Sequence, residues 1–174
     1  MLVGQENGGG RLGQPVSGES AAAAARRGKA RFLQSFASLK DRVATACAGP
    51  DAWEEKLIAG VRAVLDFAAD DPQGAHALTV DARRRASGEV DLEQEAVTYF
   101  AGLLREVVEV EKRFAISNEE AVVESIATII RGHLQLGTAA ELPGLAPDLV
   151  YVTLMPYVGI SDAKRWAAAS SSRR

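Results

Sequence analysis

Apolar residues recur at three- and four-residue intervals along most of the chain, the signature of amphipathic helices. Ahead of position 21 the pattern is missing: Gly4, Gly8, Gly9, Gly10, Gly13, Pro15 and Gly18 stand among polar residues. Such a stretch offers too little burial to offset its ordering entropy, so 1–31 is expected to be a disordered or remnant arm. Within it, 21–31 is alanine-rich and basic enough for a frayed helix. From Phe32 the texture changes. Ser38 is placed to cap a helix ending near Ala48, stopped by Gly49-Pro50. Asp51, with Glu54 three residues on, predicts a capping box for a helix carrying Trp53, Leu57, Val61, Val64, Leu65 and Ala68 on one face. Asp70-Asp71-Pro72 ends that helix and starts another over 72–86. A long helix over 91–114 follows, with Val97, Phe100 and Leu104 on its dry side.

The helix predicted over 117–137, opened by Ser117 with Glu120, has a wider apolar arc than the others. Ile126, Ile130 and Leu134 form its central stripe; Val122, Ile129, His133 and Leu136 broaden it. So broad an arc points to burial on two sides. The segment 138–147 reads as a loop, punctuated by Pro143, Gly144 and Pro147. Residues 148–157 are nearly all apolar and dense enough for a buried strand, but no partner strand exists, and helix is the better reading. Pro156 and Gly159 break it, and Ser161 caps a short helix to Ala169. The expectation is an all-α helical bundle over 32–169 with a loose tail at 170–174.

Composition narrows the function. A net charge of −3 does not describe a chain built throughout to neutralise phosphates. The single cysteine, Cys47, rules out an internal disulfide framework and a multi-thiolate metal site, and fits the cytoplasm. No apolar run approaches the roughly 20 residues of a membrane span. The two histidines, His76 and His133, lack a carboxylate or second histidine at metal-ligand spacing, so no metal or cofactor is expected. Glu106 and Glu109, near Lys112 and Arg113, read as a solvated face. With no phosphate-binding glycine loop and no nucleophile elbow, the chain is not expected to be an enzyme.

Two stretches resemble TetR-family transcriptional regulators. Phe32-Leu33-Gln34-Ser35-Phe36-Ala37-Ser38-Leu39-Lys40-Asp41 is similar to the passage from that family's recognition helix into its fourth helix. Leu142-Pro143-Gly144-Leu145-Ala146-Pro147-Asp148-Leu149-Val150-Tyr151, continued by Leu154-Met155-Pro156-Tyr157-Val158-Gly159, resembles the loop and final helix of many members. The resemblance covers about 32–168. It implies an effector-binding and dimerisation domain whose cavity takes a small, hydrophobic ligand, with Trp53, Leu57, Val61, His76, Leu78, Phe100 and Leu104 as candidate pocket residues. It also implies a homodimer through Val122, Ile126, Ile129, Ile130, His133, Leu149, Val152 and Met155. The three-helix DNA-binding head of the family is not recognisable ahead of Phe32. Sequence-specific DNA binding is therefore not expected, and Lys29, Arg31 and Lys40 are the candidates for phosphate contacts. An alternative role is that of a headless subunit that heterodimerises with a full-length regulator.

Overall fold

A computed structural model describes residues 18–81, 92–108 and 119–171. They form six α-helices with no strand among the described residues: α1 (Gly18–Ala48), α2 (Trp53–Asp70), α3 (Pro72–His76), α4 (Leu92–Val107), α5 (Glu119–Leu136) and α6 (Ala146–Ser171). A π-helical turn, Ala77–Asp81, continues α3, and a 3-10 helix, Ala139–Leu145, joins α5 to α6. The all-α expectation holds.

α1 is one helix of 31 residues, about 45 Å long, and it passes without a break through the expected boundary at 31/32. Ser38 lies exposed inside it rather than capping it. The alanine run that precedes Phe32 has high intrinsic helix propensity, which lets the helix extend outward without burial. From Phe32 onward Phe32, Phe36, Leu39 and Val43 are buried at helical spacing along α2, whose Leu65 is wholly buried. Arg42 adds an exposed ion pair to Asp70 at 2.8 Å and lies over the Phe67 ring at 5.8 Å.

The capping box expected at Asp51 is not formed. The N-cap of α2 is Ala52, with no side-chain hydrogen bond. Asp71 caps α3 instead, its carboxylate accepting from the Gly74 N–H at 2.9 Å, with Pro72 in the first turn. The helix expected over 72–86 is α for only five residues before widening into the π turn; 82–91 lie outside the described residues. The turn is tied to its neighbours by Arg131 of α5. Its Nε donates to the Thr79 carbonyl at 2.8 Å, and its other arm donates to Glu93 of α4 at 2.6 Å. A side chain thus meets a carbonyl of the widened turn, where the regular α ladder is interrupted.

The described parts of the next two expected helices are α4 and α5; the cap at Ser117 and the stretch 109–116 lie outside the described residues. α5 ends in a Schellman turn: Gly137 at φ +74° donates to the Leu134 carbonyl at 3.2 Å, and Thr138 N–H to the His133 carbonyl at 2.9 Å. The segment read as a loop is a 3-10 helix packed on α2, with Leu142 wholly buried. Ala139 and Leu142 are three apart, so a three-residue turn puts both on the dry side. α6 bends at Gly159 (φ 79°, ψ 170°), dividing it into 146–158 and 160–171. The apolar 148–157 segment is helical. Leu149, Val150, Leu154 and Tyr157 are buried there, and Tyr157 meets Trp53 edge-on at 6.2 Å between centroids.

Candidate functional site

The helices do not close completely on one another. Between them is a cavity of about 210 Å³, walled almost wholly by carbon. α1 contributes Leu39, Val43 and Cys47, and α2 contributes Leu57, Val61, Val64 and Phe67. Leu78 and Thr79 come from the π turn, and Val97, Phe100 and Leu104 from α4. Val122, Ile126 and Ile130 line it from α5, and Thr153 from α6. Amphipathic helices generate such a space when the dry faces of five or more elements converge and their side chains are too short to meet.

Of the seven pocket candidates, Leu57, Val61, Leu78, Phe100 and Leu104 stand on the wall. Trp53 does not: it packs on Tyr157. His76 is half-buried with Nδ1 at 3.5 Å from the Asp81 carboxylate, also off the wall. Sequence reasoning missed the contributions of α1, α5 and α6. For α5 a signal was present, since its apolar arc was too wide for one neighbour: Val122, Ile126 and Ile130 of that arc line the cavity, while Leu136 is exposed.

That result divides the residues assigned to a subunit interface. Val122, Ile126 and Ile130 face the cavity, and Leu149 is 5% exposed in the core. Ile129 is half-buried. The His133 ring bonds the Thr138 hydroxyl at 2.8 Å, at the end of its own helix. Val152 and Met155, one turn apart on α6, are 49% and 38% exposed, and Leu136 and Ile160 are also exposed. Among the cationic candidates, Lys29 is exposed and Arg31 donates to the Gln73 side chain. Lys40 is not at a helix start. Its ammonium lies 4.9 Å from the centroids of both Phe36 and Tyr99.

The polar groups on the wall are mostly spent. Glu93 is paired with Arg131, Thr79 Oγ1 donates back to the Ala75 carbonyl at 2.8 Å, and Cys47 Sγ donates to the Lys56 carbonyl at 3.4 Å. Burial pushes the Cys47 thiol up from its ordinary value while the Lys56 charge pulls it down; burial dominates, so the sulfur is a neutral thiol. Thr153 differs. It is 2% exposed, and its hydroxyl has no hydrogen-bond partner. Leaving such a group unmet costs about 1–3 kcal/mol.

Among the described residues no group of three or more potential ligands could hold a metal ion, and no helix is long and apolar enough to cross a membrane. No protein-family model, no curated protein and no solved structure matches the chain.

Proposed function

We propose that this chain is an effector-binding and dimerisation domain of a TetR-like transcriptional regulator, and that its cavity receives a small hydrophobic ligand. The observation that carries the reading is the carbon-walled cavity, to which every helix face in the core contributes. An apolar guest gains packing contacts that the carbon wall of this partly open cavity of about 210 Å³ lacks when empty. Engineered apolar cavities of about 150 Å³ stay dry and bind benzene, which sets the scale of ligand. The reading assigns binding rather than catalysis to the site, and a cytoplasmic location goes with it. Because α1 supplies part of the wall and continues outward to Arg26, Arg27 and Lys29, occupancy acts on the element that carries the basic side chains.

Displacement of an apolar fluorophore, followed by calorimetry, tests the proposal. One guest per chain is the expected result; failure of every small apolar compound to bind at millimolar concentration overturns it.

A second reading keeps the dimer but changes the partner, making the chain an interaction subunit for a full-length regulator. The exposed Val152 and Met155 favour a protein contact on α6, because large apolar side chains one turn apart make an apolar strip in water. Light scattering after size exclusion and co-purification with a co-expressed regulator distinguish the two. A monomer that captures no regulator refutes both forms of association.

A further inference from the structure

The outer part of α1 is built from two kinds of residue alone. Over 22–31 every position is Ala or Gly, or else one of Arg26, Arg27, Lys29 and Arg31, and no carboxylate stands among them. This stretch is a rod about 15 Å long, exposed at every position except the half-buried Ala23 and Gly28. Helices in water gain support when residues three and four apart carry opposite charges. Here Arg26 and Lys29 are three apart, Arg27 and Arg31 four apart, and both pairs repel. None of the four forms an ion pair among the described residues; Arg31 donates to the neutral Gln73 side chain. The concentration of positive charge is local, since the whole chain carries a net charge of −3.

We infer that 22–31 of α1 is a docking surface for duplex DNA, which it grips by the phosphate backbone without regard to sequence. The inference goes beyond the ligand-binding reading and stands without it. Charge complementarity carries it: unpaired cations on an exposed rod are relieved by a polyanion, and each phosphate they neutralise releases counterions. Shape agrees. At about 100° per residue, Arg26 and Lys29 lie on one flank and Arg27 and Arg31 on the other, with Ala23 and Ala30 as the seam between them. So slender a helix fits the major groove, about 12 Å wide, with cations toward both phosphate walls. The seam facing the base edges is alanine, which has no side-chain donor or acceptor to read them. An anionic membrane is the poorer partner, because 22–31 offers no large apolar side chain to enter the acyl boundary. Duplex RNA is poorer too, its major groove being deep and narrow.

Fluorescence anisotropy of the full chain with two labelled DNA duplexes of unrelated sequence, over a salt series, tests the inference. Both duplexes should bind within about twofold of each other, and the logarithm of the affinity should fall with the logarithm of salt at a slope of about −3 to −4, as four cations on phosphates require. Between about 50 and 200 mM salt that is a loss of about a hundredfold. The triple variant Arg26→Gln, Arg27→Gln, Lys29→Gln keeps helix propensity and should bind at least about tenfold more weakly, with the slope reduced by about three. Circular dichroism should show its helix intact. Arg165→Gln removes an exposed charge from α6 and should change neither quantity. No binding of either duplex at about 50 mM salt overturns the inference. So does a triple variant that keeps both affinity and slope, or an equal loss from Arg165→Gln. A strong preference for one duplex overturns the independence from sequence. Tighter binding to duplex RNA or to phosphatidylserine vesicles at the same salt overturns the choice of partner.

Discussion

At Gly137 the backbone stands at φ +74°, a region that a Cβ disfavours, and the space around it is open. The requirement is thus conformational and not steric. Gly137→Ala should lose about 1 kcal/mol in urea unfolding, with no change in ligand binding. Gly74 is constrained differently. A Cβ there would overlap the Asp71 carboxylate that caps α3 and press on Ser35 of α1. Tyr157 shows what the interior does to charge. Burial first, and then the negative Glu119, push its phenol up to about 12, and Arg105 opposes them. The raised value means that the protonated phenol is favoured by folding. Its contribution to stability is complete below the ordinary value near 10 and is lost as pH climbs through about 12. Ultraviolet titration should show a phenol ionising near 12, and Tyr157→Phe should remove that component.

Among the elements, those built on a long periodic pattern were legible: α2, α4, α5 and the apolar half of α6 stand close to where spacing put them. What failed did so for identifiable reasons. Pro143 and Gly144 read as loop punctuation, yet a 3-10 helix accepts both while burying Leu142. Asp51-x-x-Glu54 had the right residues for a box, but the helix starts one residue later than that cap requires, at Trp53, with Ala52 as its cap. Ser38 had the right type for a cap inside a helix that never stops. Most instructive is α5. A broad arc reports that two sides are dry, but not whether the second side meets a protein partner or an internal void. Five pocket positions on α2, the π turn and α4 were legible from periodicity combined with the family resemblance. Thr153 was not, because an isolated threonine in an apolar run carries no pattern. If the cavity is the ligand site, filling it from one wall should be tolerated by the helices and fatal to binding. Leu104→Trp is expected to hold or raise the melting temperature and to abolish fluorophore displacement, both read in one thermal-shift series.

For the molecule as a whole, burial is distributed unevenly along its longest rod. α1 is geometrically continuous, but most of 22–31 is exposed, and large buried side chains begin only at Phe32. The first third of the helix therefore draws its stability from alanine propensity and hydrogen bonds that water can contest. No structural joint marks position 31, yet an energetic one does. Among the described residues, brief trypsin digestion should cut at Arg26, Arg27 and Lys29 before any site in α2. Cleavage that begins in α2 would contradict this distribution of stability. The bend at Gly159 has a consequence of another kind. Because its ψ of 170° is extended rather than helical, the amide ladder is interrupted there, and the two halves of α6 can unzip separately. Deuterium uptake should therefore divide the C-terminal stretch into two kinetic classes, one for 146–158 and one for 160–171, with the boundary at Gly159.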